Sequence, residues 1–230
     1  MNTFFQESLF FGMTLSLISY GLGMMLKKKF HWSFLNPLLV SIIIVILFLK
    51  VFRIDYEIYN ASAKYLSYLL TPVTVCLAIP LYQQLTLLKQ NLKAVLLGIT
   101  AGVLTSLFSI LAMAMMFGLT HEQYVTLLPK SITTAIGIGV ADELGGITTI
   151  TVAVIIITGV LGNVIGELVL KIFKIQEPIA KGLALGTAAH AIGTSKALEI
   201  GEVEGAMSSL SIAVAGIMTV AAASVFAGLY

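Results

Sequence analysis

Charge is what this sequence has least of. Lys, Arg, Asp and Glu make up 10% of its 230 residues, against about a quarter in an ordinary soluble domain, so the chain cannot coat a water-soluble globule. The 13 basic and 11 acidic residues nearly cancel, which argues against a nucleic-acid surface and against an acidic partner at the surface. The single cysteine, Cys76, excludes an internal disulfide and any cysteine-built metal site. His31, His121 and His190 lie far apart in the sequence, so no metal-ligand spacing appears and no metal is expected. No Ser-His-Asp spacing, nucleophile elbow, phosphate-cradling glycine loop or nucleotide fingerprint is present, so neither catalytic residues nor a cofactor are expected, and the chain does not read as an enzyme. A cationic leader is missing too. The first charged residue is Glu7, and the apolar stretch after it ends in Lys27-Lys28-Lys29, the order of a retained first span rather than of a signal peptide.

What the sequence has is apolar length. It is 58% hydrophobic with a mean hydropathy of +1.02, and spanning a bilayer takes about 20 largely apolar helical residues. Residues 4–26, 35–52, 94–117, 147–172 and 206–229 meet that requirement. Three further stretches are apolar but interrupted. Residues 63–85 carry Thr71-Pro72 and Pro80, residues 124–141 carry Pro129-Lys130, and residues 179–200 are small, polar and glycine-rich. Such breaks persist in a membrane only where protein or a wet cavity satisfies the freed backbone groups. The expected fold is therefore an all-α polytopic membrane protein of about six to eight transmembrane helices, organised as one integral membrane domain over residues 1–230.

Lysine and arginine in the short loops set the orientation. Lys27 to Lys29 put the first loop in the cytoplasm and the N-terminus outside, and Lys89 and Lys93 agree. Lys171 and Lys174 fall inside as well if residues 124–141 dip in and return, so a re-entrant or broken segment is expected there. A crossing by residues 179–200 would then give seven crossings, one hairpin and a cytoplasmic C-terminus. Leu35-Asn36-Pro37-Leu38 beside Leu128-Pro129-Lys130, and Ala63-Lys64 beside Ala180-Lys181, hint at the inverted repeats on which many transporters are built.

The chemistry concentrates in the interrupted stretches. In Leu127-Leu128-Pro129-Lys130-Ser131-Ile132-Thr133-Thr134 a lysine sits among hydroxyls in apolar surroundings, where it is costly unless it faces a cavity, a counter-ion or a substrate. Pro129 suits a first helical turn, so this is a candidate anion site in which helix N–H groups join Lys130, Ser131, Thr133 and Thr134. The plainer reading has Lys130 snorkelling to a nearby interface. The same segment continues to Asp142-Glu143-Leu144-Gly145-Gly146. Gly145 and Gly146 are included among the site candidates, and Asp142 and Glu143 as candidate coupling carboxylates. Glu167, near a span end, reads as interfacial. The second candidate is residues 182–197, where Thr187, His190, Gly193, Thr194 and Ser195 are spaced so that a broken helix would gather them around a ligand. Tight helix packing uses the same small residues. Thr71 and Thr74 flank Pro72 and form the third candidate, for which a plain proline kink is the commoner reading.

Taken together, Phe34-Leu35-Asn36-Pro37-Leu38-Leu39, Ile79-Pro80-Leu81-Tyr82, the 127–134 block, Glu143-Leu144-Gly145-Gly146 and the 180–197 block resemble the LrgB/CidB family of bacterial membrane proteins over nearly the whole chain. Ala135 departs from the family pattern, since many members carry proline there. The resemblance implies a multi-pass protein of the bacterial cell membrane and two roles of different class. One is transport of small carboxylates of glycolate, glycerate or pyruvate type. The other is a holin/antiholin-like regulator of murein hydrolase export and cell lysis, working with a small LrgA/CidA-type membrane partner. The expected partners are thus the lipid bilayer, a small carboxylate and that protein, with a homodimer as the expected assembly for so small a chain.

Overall fold

The computed structural model describes residues 8, 10–30 and 35–230, apart from the side chains of Leu70, Thr71 and Thr74. Part of the Phe34-to-Leu39 block and the Thr71 and Thr74 side chains therefore lie outside the described residues. The described residues are mostly helical, with no strand among them. Three helices are long and apolar enough to cross a membrane: α7 (Leu92–Phe117), α10 (Thr148–Ile172) and α12 (Glu202–Ala227), of 26, 25 and 26 residues. At 1.5 Å per residue each reaches roughly 37–39 Å, more than the ~30 Å hydrocarbon core. This is an all-α membrane protein.

The chain divides into two compact units, residues 1–76 and 77–230. In the first, α1 (Phe11–Phe30) lies against α2 (Pro37–Phe52) and α3 (Tyr56–Ala63). Asn36 caps α2, its side chain accepting from the Leu38 and Leu39 N–H groups, with Pro37 in the first turn where no N–H is needed. Gly12 and Gly23 let backbones meet. A Cβ on Gly12 would strike the Tyr59 carbonyl, and one on Gly23 would lie 2.7 Å from that of Pro37. The interruption expected in residues 63–85 is present as a run of short elements: a 3₁₀ turn (Lys64–Leu69), α4 (Leu70–Cys76) and, beginning the second unit, α5 (Ala78–Gln83) and α6 (Leu85–Gln90).

The second unit holds two helical hairpins that approach from opposite ends. After Gly118 closes α7 in a left-handed conformation (φ 61°), the chain turns back into α8 (His121–Leu127), reverses over residues 128–133 and returns as α9 (Thr134–Glu143). The reversal is measured by neighbours. Gly137 packs against Pro129 and Ile155, whereas Gly146, beyond the end of α9, packs against Thr126 and so lies back at the level where α8 ends. The Thr126 hydroxyl accepts from Ile147 N–H at 2.8 Å, and its carbonyl from the Thr151 hydroxyl at 2.9 Å. Residues 124–141 thus dip in and return, as the lysine distribution requires.

The second hairpin departs from expectation. α11 (Pro178–Ile200) breaks at Ala189 (φ −131°, ψ 18°) and His190 (φ 42°, ψ −137°), and its second arm folds back along the first. Gly193 sits against the Leu185 carbonyl, and Gly186 and Thr194 both meet Ser208 of α12. Along α10, Leu185 lies beside Gly166 and Lys196 beside Glu167, while His190 reaches Ile155. Residues 179–200 therefore enter and leave at the same end rather than crossing. The consequence is that α12 carries the chain away from Lys171, Lys174 and Lys181, and Tyr230 docks on the Leu119 carbonyl at the far end of α7. By the lysine rule this puts the C-terminus on the external side, opposite to the sequence-based expectation. In a Cys76→Ser background, cysteines replacing Gln176 and Glu202 are expected to label from the same face of intact cells. Labelling from opposite faces would restore the crossing.

The segment pairs that hinted at a repeat do not correspond in local structure, and a closer local match is found elsewhere. Asn36-Pro37 opens a helix whereas Pro129 lies in a turn, and Lys64 starts a 3₁₀ turn whereas Lys181 lies in a helical first turn, so these pairs are not equivalent. The matching segments are Leu47-Phe48-Leu49-Lys50-Val51-Phe52-Arg53-Ile54 and Leu168-Val169-Leu170-Lys171-Ile172-Phe173-Lys174-Ile175. Both end a helix on a left-handed basic residue, Arg53 (φ 51°) and Lys174 (φ 55°). Both close with an isoleucine N–H on a leucine carbonyl five residues back, each at 2.9 Å.

Candidate functional site

Between α7, the first hairpin's turn and the first arm of α11 lies a cavity of about 770 Å³, large enough for a small organic ligand. Its α7 wall is a stripe of small and hydroxyl residues, Gly98, Ala101, Gly102, Thr105, Ser106 and Ser109, recurring at helical spacing in an otherwise apolar span. The glycines bring α11 close. A Cβ on Gly102 would lie 2.6 Å from the Thr187 methyl, and one on Gly98 3.2 Å from Leu183.

Among the described residues the single cation on the wall is Lys130, which the first hairpin carries into the cavity in its reversing turn. Its ammonium donates to the Ser131 hydroxyl at 2.9 Å and to that of Ser106 at 3.2 Å, and the two hydroxyls are 3.2 Å apart. Ser106 fixes the depth. It lies fourteen residues from the start of α7 and eleven from its end, roughly 21 and 17 Å along the axis. A snorkelling lysine belongs near a helix end, so that reading fails for Lys130. An ammonium has three N–H donors, and two of them have hydroxyl partners here. No carboxylate lies within ion-pair distance of Lys130 among the described residues. Thr187, 6% exposed, adds to the same wall a hydroxyl with no hydrogen-bond partner among the described residues.

The other sequence candidates fall elsewhere. α8 ends at Leu127 and α9 starts at Thr134, so Pro129 and Lys130 occupy the turn and not the first turn of a helix, as the anion-site reading had it. Thr133 is the N-cap of α9 without a side-chain capping bond, and neither it nor Thr134 lines the cavity. Gly145 (φ 77°) and Gly146 make the turn into α10, where the positive φ and the close approach to Thr126 require glycine. Asp142 and Glu143 are exposed at the far end of α9 and do not line the cavity.

His190, Gly193, Thr194 and Ser195 cluster as expected, but around the tip of the second hairpin. His190 Nε2 lies 3.0 Å from the Ile155 carbonyl, the Thr194 hydroxyl donates to the His190 carbonyl at 3.0 Å and shares a 2.7 Å bond with Ser208, and Ser195 donates to the Ile192 carbonyl at 2.7 Å. These bonds hold a backbone conformation at His190 that a non-glycine residue adopts at a cost of about 1–3 kcal/mol. Asn163, buried in α10, donates to the Ile192 carbonyl at 2.8 Å and to Ser195 at 3.0 Å. Glu167 is ion-paired to Lys171 and Lys196, at 2.9 and 3.0 Å. No group of three His, Cys, Asp or Glu side chains suited to a metal occurs among the described residues.

The profile of the LrgB-like family matches residues 16–229, which take in both hairpins and every wall of the cavity. The chain belongs to the LrgB-like family. The antiholin-like protein LrgB of Bacillus cereus (strain B4264) is 40% identical over 218 residues, covering 94% of this chain and 95% of that protein. The protein of the same name from Bacillus anthracis (strain CDC 684 / NRRL 3495) matches to the same extent. No solved structure matches. Within this LrgB-like chain, sequence reasoning missed the α7 stripe and Asn163, and grouped Thr187 with His190 rather than with Lys130. The stripe was findable from its periodicity; Asn163 was findable as a lone amide inside an apolar span.

Proposed function

We infer that this chain is a carrier of small carboxylates of glycolate, glycerate or pyruvate type in a bacterial cell membrane, and that the Lys130 cavity is where the acid binds. One observation carries the reading: an ammonium at the mid-depth of a spanning helix, held by two serines, with an N–H to spare and no carboxylate partner among the described residues. A charge at that depth is costly without a partner, and a carboxylate would supply a charge-assisted bond. Ser106 and Ser131 orient the ammonium, and the small-residue wall leaves room for a short carbon skeleton. Transport of this kind needs no covalent step, and we assign no enzymatic activity.

A second reading has independent support. The relatives are named antiholin-like, and those names back the regulator of murein hydrolase export and lysis more directly than they back a carrier. An LrgA/CidA-type partner belongs with that reading, and a homodimer is compatible with either. Radiotracer uptake into liposomes, with and without such a partner, separates the two. Saturable uptake of a small carboxylate supports the carrier. Release of large dyes, or the absence of uptake in both conditions, leaves the antiholin-like role standing alone.

A further inference from the structure

A second cleft lies at the opposite pole from the first hairpin's base, where α10 ends and α11 begins. It encloses about 270 Å³, and its lining joins apolar Leu170, Ile175 and Ile200 to Lys171, Lys174, Lys181 and Glu167. Its charges do not balance. Glu167 already has both oxygens engaged, Oε1 by Lys171 at 2.9 Å and Oε2 by Lys196 at 3.0 Å. Lys174 and Lys181 have no carboxylate partner among the described residues. Glu177, next in sequence, lines the other cavity.

Helix ends explain some of these lysines but not all. Lys171 and Lys174 sit at the C-terminal end of α10, where the helix dipole favours a cation. Lys181 is in the first turn of α11, beside unpaired backbone N–H groups, where the dipole favours an anion. The Lys174 and Lys181 side chains thus line one cleft with no carboxylate to spare among the described residues, an arrangement suited to a phosphate. Lys174 moreover occupies a left-handed position (φ 55°) at which glycine is the usual residue.

The surroundings identify the source of the phosphate. α10 outreaches the hydrocarbon core, so its last turn stands at headgroup level, and Ile172 and Phe173 are 64% and 72% exposed beside the lysines. A lipid would set its phosphate on Lys174 and Lys181 and its acyl chain along that apolar face. We propose that this cleft binds the headgroup phosphate of an anionic phospholipid, a site independent of the Lys130 cavity.

Thermal melting of the purified full chain in detergent tests it, with added phosphatidylglycerol, phosphatidylcholine or inorganic phosphate. Phosphatidylglycerol is expected to raise the midpoint above the other two. In a Lys174→Gln/Lys181→Gln variant the half-effective phosphatidylglycerol concentration should rise about thirtyfold, the equivalent of about 1 kcal/mol per lysine. Lys174→Arg/Lys181→Arg should keep the response, as should Lys28→Gln/Lys29→Gln, which removes the same charge elsewhere. Equal effects of the two lipids, an unchanged response in the first variant, or loss of response in the Lys28/Lys29 control would overturn the proposal. A shift from inorganic phosphate as large as that from phosphatidylglycerol would overturn the lipid assignment in favour of a free anion.

Discussion

Replacing Lys130 with alanine is expected to weaken carboxylate binding about ten- to hundredfold while leaving folding and membrane insertion intact. The magnitude is that of one charge-assisted hydrogen bond, roughly 1.5–3 kcal/mol. Stability should be unchanged or slightly raised, because an ammonium at mid-depth costs about 2.5–3.5 kcal/mol on insertion scales and its partners are serine hydroxyls, which lose little when it is gone. Lys130→Arg should recover binding only in part, since the charge returns on a planar group that does not fit between Ser106 and Ser131 as the ammonium does. Affinity is read as the acid concentration that half-protects a cysteine engineered into the cavity wall.

The second large effect concerns the fold. Gly193→Ala is expected to destabilise the protein by roughly 2–3 kcal/mol or to prevent its purification as a single species. The added methyl would meet the Leu185 carbonyl and lie 2.7 Å from Ala189 Cβ. These are backbone and Cβ atoms of the facing arm, which cannot rotate aside. Gly186→Ala should act in the same way against Ser208, whose Cα would lie 2.8 Å from the new methyl. Gly139→Ala is the contrast, because nothing lies within 4 Å of a Cβ there and alanine is the better helix former by up to about 1 kcal/mol. Its melting temperature should be unchanged or higher. A Gly193→Ala protein that melts like the wild type would show that the two arms of α11 do not pack as described.

These contrasts also mark what the sequence could reveal. Lys130 stood out because a charge inside an apolar run is expensive wherever it ends up, and its cavity position follows from that cost. The first hairpin was legible for a related reason: only a returning segment keeps Lys171 and Lys174 on the same side as Lys89 and Lys93. The second hairpin was not. Glycine, alanine, serine and threonine at close spacing serve a straight packed helix as well as a folded one, and the chain reverses at Ala189 and His190, where neither glycine nor proline flags a break. His190, Thr194 and Ser195 read equally as a ligand site or as a packed cluster, and the partners they have here are carbonyls and hydroxyls of the protein itself. On α7, Gly98 to Ser109 form a stripe that hydropathy alone overlooks, since small residues barely lower the mean of a span.

The measurement closest to the central claim uses Thr105, which is exposed on the cavity wall. In Cys76→Ser protein carrying Thr105→Cys, a small thiol reagent should modify the new cysteine, and glycolate, glycerate or pyruvate should slow that modification in a saturable way. Adding Lys130→Ala should shift half-protection to about ten- to hundredfold higher acid concentration. Protection that is absent at all concentrations, or that survives unchanged without Lys130, would contradict carboxylate binding at this site.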